Sequence, residues 1–346
     1  MNLSATLNSI YRLASTNTPL GRKVYLSLEV IQLSIDIYGF DLTSLSFNGG
    51  KDCTVTLFLI LAALNINKNV SDQTTTILSL EFFKDQTNLF ERLNLAFRNS
   101  ACTDSSYTKP KDLSIESSTF SKAQLTSLQR NDSKYELSAE VFDELCSILN
   151  VRFLELFEGT ESIKDLFYNT KVSHFIFNYD SLYSSKIDLS ALTQIKALYV
   201  KNNSVFPEVS EFIKAITDNC KLDLDVISNS MKEALFEYKK INPHCQAFYI
   251  GTRRDDPAGN YSDYFKLCDP GWPQYMRICP VFDWSYKDIW SFIIENDIPR
   301  CSMYDKGYTS IGDIEHTTTN PDLLINGSYK PAWLLSDSTL ERNGRI

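Results

Sequence analysis

The fold is decided by one octet, Ser46-Phe47-Asn48-Gly49-Gly50-Lys51-Asp52-Cys53. It follows a short run at 42–45 that predicts a buried strand and precedes an apolar helix pattern at 55–61. A glycine-rich turn between a strand and a helix directs several backbone N–H groups at one point, beside the positive end of the helix dipole. Two adjacent glycines permit the positive φ and the close backbone approach that this requires. The octet therefore predicts a phosphate site, to which Lys51 adds a cation and Asp52 a metal ligand.

The spacing of the octet differs from that of two familiar phosphate loops. A Walker A loop needs four residues between its glycines and then Lys-Ser/Thr, and the dinucleotide fingerprint needs three spaced glycines. The alternative to a phosphate site is an ordinary strand-to-helix turn that contains Gly-Gly by chance.

Length and composition narrow the class of protein. The chain has 346 residues, 43% of them hydrophobic and 22% charged, which is typical of a globular protein with a substantial core. A formal charge of −9 argues against a nucleic-acid or acidic-membrane partner, because binding phosphates needs clustered Lys and Arg. No apolar run reaches the roughly eighteen residues of a membrane span.

Cysteine usage bears on location. The eight cysteines form no Cys-x-x-Cys pair and there are three histidines, so no zinc site is predicted and the thiols are expected to be reduced. We therefore expect a cytoplasmic protein. The first 28 residues lack acids and carry Arg12, Arg22 and Lys23, which leaves a mitochondrial presequence as the alternative. The apolar periodicity from about Leu7 to Tyr38 instead favours folded helices ahead of the first strand.

Strands alternate with helices along the chain. This alternation predicts an α/β fold with a doubly wound, mostly parallel sheet and helices on both faces, as a single domain over 1–346. The predicted strands are 42–47, Ile195–Val200, Leu222–Ile227 and Ala247–Ile250. The predicted helices are Val24–Tyr38, 52–64, one opening at Pro207, Ser230–Lys240 and Ser285–Asn296.

The alternation of strands and helices becomes less regular over about 80–194. Strands at Thr75–Phe83 and Val172–Tyr179 and a helical pattern at 136–168 surround a stretch at 100–135 that is rich in Ser, Thr, Lys and Asp. That composition predicts a surface excursion. The segment is interpreted as an insertion of unknown role, and an added function there stays open.

A second constellation, Gly251-Thr252-Arg253-Arg254-Asp255-Asp256-Pro257, directly follows a predicted strand. Ligands of open parallel sheets collect at the carboxyl ends of strands, which is the edge where the octet lies. Arg253 suits a phosphate, because guanidinium presents a planar fork of donors, and Asp256 suits Mg²⁺. Taken alone, the stretch also fits a solvated turn.

A third stretch runs Cys268-Asp269-Pro270-Gly271-Trp272-Pro273-Gln274-Tyr275-Met276-Arg277-Ile278. Trp272 can stack on a planar ring, an interaction of about 1–3 kcal/mol for a base, and Arg277 can supply charge to a phosphate. Further on, Asp283 is a candidate helix N-cap, and Trp284 and Trp290 are predicted to be core residues.

These motifs resemble one family. The octet resembles the pyrophosphate loop of N-type ATP pyrophosphatases, in the form found in eukaryotic FAD synthases (FMN adenylyltransferases), which are relatives of the phosphosulfate (PAPS) reductases. Four later stretches resemble that family in order: 251–257 as Gly-x-Arg-x-x-Asp-Pro, 269–277 as Asp-x-x-Trp-Pro-x-Phe-Met-Arg with Tyr275 in place of the Phe, 304–312 as Tyr-x-x-Gly-Tyr-Thr-Ser-Ile-Gly and 341–345 as Glu-Arg-x-Gly-Arg. The resemblance covers about 42–70 and 195–346.

The resemblance implies transfer of AMP from ATP to the phosphate of FMN, giving FAD and pyrophosphate, with Mg²⁺ as cofactor and small molecules as partners. It implies that residues 251–346 form the flavin loops and a C-terminal extension that folds over the site. The implied ATP and phosphate residues are Ser46, Phe47, Asn48, Gly49, Gly50, Lys51, Asp52 and Val200. The implied flavin residues are Gly251, Arg253, Asp269, Pro270, Gly271, Trp272, Arg277 and Ile278. The implied catalytic residues are Asn48, Asp52, Asp256, Arg342 and Arg345, with Asp52 and Asp256 as metal ligands.

Two other classes stay open at this point. A phosphosulfate reductase needs a nucleophilic cysteine in a Glu-Cys-Gly-type motif near the C-terminus, whereas the last cysteine here is Cys301, between Arg300 and Ser302. The second class is a non-catalytic module that binds a nucleotide or a flavin and derives from an enzyme.

Overall fold

The computed structural model describes residues 1–69, 194–201, 204–257, 259 and 262–346. The predictions at Thr75–Phe83, 136–168 and Val172–Tyr179 lie outside the described residues, as does nearly all of the proposed insertion. Six α-helices lie in the described part: α1 (Leu3–Ala14), α2 (Pro19–Tyr38), α3 (Lys51–Asn69), α4 (Pro207–Cys220), α5 (Met231–Ile241) and α6 (Tyr286–Glu295). The strands are β1 (Thr43–Ser46), β2 (Ile195–Val200), β3 (Leu222–Ile227), β4 (Ala247–Tyr249), β5 (Phe265–Leu267), β6 (Met276–Ile278), β7 (Leu324–Ile325) and β8 (Ser328–Tyr329).

The main sheet confirms the predicted fold class. Its six strands have the order β3-β2-β1-β4-β6-β5, and every neighbouring pair is parallel except β5 and β6. β1 is central, with Leu45 opposite Ala197 on one side and Tyr249 on the other. Because β1 and β4 are parallel neighbours, the loops that follow them emerge side by side at the carboxyl edge of the sheet.

Side chains alternate between the two faces of the sheet. On β2 and β4, Ala197, Ala247 and Tyr249 belong to the large core cluster that contains α1, α2, α3, α4 and α6 residues. The intervening Leu198 and Phe248 belong to a smaller cluster with α5 residues. Helices therefore cover both faces, as the alternating pattern predicts.

The N-terminal region forms the helices that its periodicity predicts. α1 and α2 pack on one another and on α3, and the core includes Leu7, Ile10 and Val24. The Tyr11 hydroxyl donates to the Ala62 carbonyl oxygen at 2.7 Å, which ties α1 to α3. Among the described residues, no helix combines the length and apolarity needed to cross a membrane.

α6 begins with a capping box. Ser285 Oγ accepts from the Asp288 N–H at 3.2 Å, and Asp288 Oδ2 accepts from the Ser285 N–H at 2.8 Å. The prediction that Asp283 caps this helix is wrong, because Ser285 occupies the N-cap two residues later. Asp283 instead forms an ion pair with Arg254. Trp284 and Trp290 are buried in the core, as predicted.

Replacing Ser285 with alanine is expected to lower the free energy of unfolding by about 1 kcal/mol, because the helix loses its N-cap acceptor. Urea denaturation of Ser285→Ala measures this. Ser210→Ala, on the exposed face of α4, is the matched control and is expected to leave stability unchanged or slightly raised. Equal losses in both variants would contradict the capping role.

Candidate active site

The predicted phosphate loop lies between β1 and α3. The Phe47 N–H donates to the Leu198 carbonyl oxygen at 2.9 Å, which extends the pairing with β2 by one residue, and the Phe47 ring is buried. Gly49 has a φ of +74°, the positive value that the Gly-Gly pair was expected to supply. α3 begins at Lys51. The loop therefore stands at the positive end of the helix dipole.

Two loop amides are held by side-chain oxygens. The Gly50 N–H donates to Asn48 Oδ1 at 2.9 Å, and the Lys51 N–H donates to the Tyr304 hydroxyl at 2.9 Å. The sequence predicts that several loop amides point at a phosphate, but these two donors are already satisfied within the chain. Their partners fix the path of the loop instead.

Asn48 has a defined orientation. Its Oδ1 accepts from Gly50 N–H and also from Cys53 Sγ, which lies 3.1 Å away. Burial raises the pKa of the Cys53 thiol to about 12, so the thiol keeps its proton and can donate. Because Oδ1 faces both donors, the Asn48 amide nitrogen is left as the donor for a ligand.

Two cavities meet at this loop. The first, with a volume of about 250 Å³, is an apolar-sided cleft beside the end of β2. It is lined by Ser46, Phe47, Asn48, Gly49, Gly50, Leu198, Tyr199, Val200, Val205, Val209, Asn229, Ser230, Met231, Ile311, Gly312 and Asp313. The second, of about 440 Å³, is more charged. It is lined by Ser46, Asn48, Gly50, Lys51, Asp52, Cys53, Ile250, Gly251, Thr252, Asp256, Pro257, Tyr304, Ser310, Ile311, Glu341, Arg342 and Arg345.

A buried charge network forms one wall of the second cavity. Lys51 Nζ lies 2.9 Å from Asp52 Oδ2 and 2.5 Å from Glu341 Oε1. Arg253 lies 3.0 Å from Asp52, 3.2 Å from Asp256 and 2.7 Å from Glu341. Two cations thus meet three carboxylates, which leaves one net negative charge in the network.

The ionisation of the network follows from these contacts. Burial opposes the charged forms, but Asp52 and Glu341 together raise the pKa of Lys51 above its usual value. Burial likewise opposes the charge on Asp52, yet Lys51 and Arg253 lower its pKa. For Asp256 burial wins over the attraction of Arg253, and its pKa is raised. Lys51 and Asp52 therefore stay charged at neutral pH.

Arg253 does not face the cavity as predicted. Only 1% of its side chain is exposed, and its guanidinium contacts the carboxylates of Asp52, Asp256 and Glu341. The sequence suggested a phosphate ligand because the fork of donors suits phosphate equally well. In the structure carboxylates pair with its Nε and Nη2 atoms, so Arg253 holds three carboxylates in place beneath the cavity.

The C-terminal tail folds back onto the phosphate loop, as the resemblance implied. Arg345 forms an antiparallel bridge with Thr317, and the Gly344 carbonyl oxygen accepts from the Thr318 N–H at 2.8 Å. The Asn320 side chain donates to the Leu340 carbonyl oxygen at 2.8 Å. These contacts place the side chains of Arg342 and Arg345 in the lining of the second cavity. Among the described residues, neither forms an ion pair.

The predicted flavin residues divide into two groups. Gly251 lines the second cavity, but Asp269, Pro270, Gly271, Trp272 and Arg277 line neither cavity. The loop that carries most of them joins β5 to β6, at the amino ends of the parallel strands. The Trp272 ring lies 5.8 Å from Lys232 Nζ, next to Met231 of the first cavity. The structure does not bring these residues to the phosphate loop, and their role stays a prediction.

Ile278 also departs from its predicted role. Its side chain is fully buried in the core, and its carbonyl oxygen accepts from the Ile250 N–H at 2.8 Å. The side chain of Ile278 is therefore part of the core, and its carbonyl oxygen is part of the hydrogen bonding of the sheet.

The sequence does not mark Tyr304 and Glu341 as site residues, although they lie in the stretches 304–312 and 341–345 that resemble the family pattern. Their contacts to Lys51 join segments more than 250 residues apart, so no local pattern predicts them. Only the family spacing of the motifs marked their positions.

Replacing Tyr304 with phenylalanine is expected to lower the free energy of unfolding by about 1–3 kcal/mol, because the buried Lys51 N–H loses its acceptor. The ring, 5.1 Å from that of Trp290, keeps its packing. Chemical denaturation measures the change, and Tyr329→Phe on the exposed hairpin is the control. An unchanged Tyr304→Phe midpoint would contradict the importance of this hydrogen bond.

A family model for the phosphoadenosine phosphosulfate reductase domain matches residues 171–319. A probable FAD synthase of Schizosaccharomyces pombe is 43% identical over 155 residues, which span 44% of this chain and 58% of that protein. The chain is similar in sequence to eukaryotic FAD synthases. The resemblance seen in the five motifs is thereby confirmed.

Other FAD synthases are more distant. The flavin adenine dinucleotide synthase of Saccharomyces cerevisiae is 27% identical over 223 residues, which span 50% of this chain and 73% of that protein. The crystal structure of Candida glabrata FMN adenylyltransferase with FMN and the ATP analogue AMPCPP has a TM-score of 0.56 at 17% identity, covering 99% of this chain and 96% of that chain. This structural likeness shows that the two chains share a fold.

The reductase alternative finds no support at Cys301. Its thiol is buried and its pKa is raised by burial, which is the reverse of what a nucleophilic cysteine needs. Cys301 also stands outside the lining of both cavities.

Proposed function

We propose that this chain is an FMN adenylyltransferase that transfers AMP from ATP to the phosphate of FMN, releasing pyrophosphate and FAD. One observation carries the proposal: two cavities of different character share a single wall. Ser46, Asn48, Gly50 and Ile311 line both cavities. A reaction between two bound phosphate compounds needs this arrangement, because the attacking group and the phosphorus must meet in line.

The first cavity suits the adenosine part of ATP. Its apolar side chains include Leu198, Val205 and Val209, and Val200 ends β2 at the cavity edge. Backbone groups at the end of a parallel strand can recognise adenine there, as predicted for Val200. The triphosphate then extends over the shared wall towards Lys51.

The second cavity suits the reacting phosphates. Arg342 and Arg345 face this space from the tail and would neutralise charge on the phosphates, while Lys51 lines the same cavity with its ammonium group paired to Asp52 and Glu341. The Asn48 amide nitrogen, at the shared wall, donates to an oxygen of the transferred phosphoryl group. A phosphate monoester is mostly ionised near neutral pH, so the attacking FMN phosphate needs no general base. Positioning and charge neutralisation supply the acceleration.

Mg²⁺ fits this site. Asp52 and Asp256 offer hard carboxylate oxygens on the second cavity, and the buried network carries one net negative charge. Neither carboxylate belongs to a cluster of three metal-ligating side chains among the described residues, so substrate oxygens would complete the coordination. Asp52 and Asp256 would hold the ion, which would offset charge on the phosphates.

We further propose that the protein acts in the cytoplasm on small-molecule substrates. The reduced cysteines of the described part support this location.

The test incubates the purified full-length chain with ATP, FMN and Mg²⁺. FAD formation is followed by its fluorescence change, and pyrophosphate is measured in parallel. Equal amounts of FAD and pyrophosphate are expected. ATP and FMN binding without product would support the non-catalytic module and overturn the proposal.

A further inference from the structure

Glu341 joins three parts of the site through one carboxylate. Its Oε1 lies 2.5 Å from Lys51 Nζ, and its Oε2 lies 2.7 Å from Arg253 Nη2. Its backbone is fixed as well, because its carbonyl oxygen accepts from Thr309 Oγ1 at 2.6 Å. Glu341, in the C-terminal tail, therefore contacts both the phosphate loop and the segment that follows β4.

The contacts of Glu341 point to a structural role. Each of its carboxylate oxygens accepts from a cation, and only 12% of its side chain is exposed, compared with 22% for Asp52 and for Asp256. Asp52 and Asp256 would by themselves balance Lys51 and Arg253 in charge. A third buried carboxylate is costly unless its ion pairs serve a purpose.

The position of Glu341 in the chain indicates what its ion pairs do. It immediately precedes Arg342 and stands four residues before Arg345, and both arginines line the second cavity. The Arg345 N–H donates to the Arg342 carbonyl oxygen at 2.8 Å, so the three residues belong to one turn. Fixing Glu341 on Lys51 and Arg253 thus fixes where both arginines stand relative to the phosphate loop.

We propose that Glu341 is a positioning residue, whose carboxylate holds the arginine-bearing tail in register with the phosphate loop. The inference rests on the proposed adenylyl transfer for its kinetic consequence, whereas the anchoring itself does not depend on it. The neutral contacts of Asn320 and Thr309 also hold the tail, so loss of the carboxylate is expected to loosen the turn without unfolding it.

Glu341→Gln preserves the shape of the side chain and removes its charge. We expect kcat to fall by about 10–100-fold, while the KM for ATP changes less than threefold, because the error lies in aligning the arginines. Glu315→Gln, on the exposed surface near the tail, is the matched control and is expected to keep full activity. A selective rise in KM at unchanged kcat would overturn the proposal.

A double-mutant cycle with Arg345→Ala separates positioning from general destabilisation. If Glu341 acts through the arginine, Glu341→Gln will slow the Arg345→Ala enzyme by much less than it slows the wild type. The same fold-loss in both backgrounds would overturn the proposal.

Hydrogen exchange gives a readout that needs no catalysis. Glu341→Gln is expected to speed amide exchange within 338–346 while α1 exchanges as in the wild type. If the wild type forms no FAD, the proposed function fails and this measurement alone decides: unchanged exchange in 338–346 would overturn the anchoring.

Discussion

Arg345→Ala is expected to slow FAD formation by about 10²–10³-fold, the loss typical of removing one charged or hydrogen-bonding group that stabilises a transition state. The Arg345 side chain lines the second cavity and forms no ion pair among the described residues. Burial and the neighbouring Arg342 lower its pKa, but the ordinary value is so high that the guanidinium stays charged at neutral pH. The charge is thus available to the phosphates.

The measurement compares kcat and KM for ATP and FMN in the wild type and the variant. Most of the loss is expected in kcat, because the contact strengthens as charge develops. Arg345→Lys keeps the charge and loses the fork, so an intermediate rate is expected. Arg12→Ala, exposed on α1, is the control. If the Arg345→Ala enzyme kept the wild-type kcat, Arg345 would have no part in catalysis.

Parts of the site with local signals were predictable. β2, β3 and the start of α4 agree with the sequence to the residue, because a mostly apolar run marks β2, alternating Leu and Asp residues mark β3, and Pro207 marks α4. The positive φ of Gly49 also follows from a glycine pair between a strand and a helix. Short-range sequence patterns therefore predict the fold and the phosphate loop.

Long-range features were not predictable. Whether Arg253 contacts phosphate or carboxylates depends on Glu341, which arrives from 88 residues away. The Tyr304 hydroxyl accepts from the Lys51 N–H, which the octet alone does not reveal. Side-chain pairing of this kind is decided by tertiary structure, and periodicity carries no information about it.

Gly49→Ala is expected to damage both stability and activity. A non-glycine residue at a φ of +74° costs roughly 1–2 kcal/mol. In addition, a Cβ there would lie 2.8 Å from Ile213 Cγ1, so the Ile213 side chain, α4 or the loop must shift. A displacement of the shared cavity wall by even a fraction of an ångström misaligns the two substrates, and FAD formation is expected to fall by about 10²-fold.

Gly327→Ala is a matched control for this variant. Gly327 has a φ of +79° in the β7–β8 turn, and nothing lies within 4 Å of the added Cβ. Both variants therefore carry the same backbone strain, but only Gly49→Ala disturbs the phosphate loop. Urea denaturation is expected to show a lower free energy of unfolding for both variants, with the larger decrease for Gly49→Ala. The Gly327→Ala enzyme is expected to keep wild-type kcat/KM. Equal activity in the two variants would mean that the conformation of Gly49 is a requirement of folding, with no part in holding the phosphates.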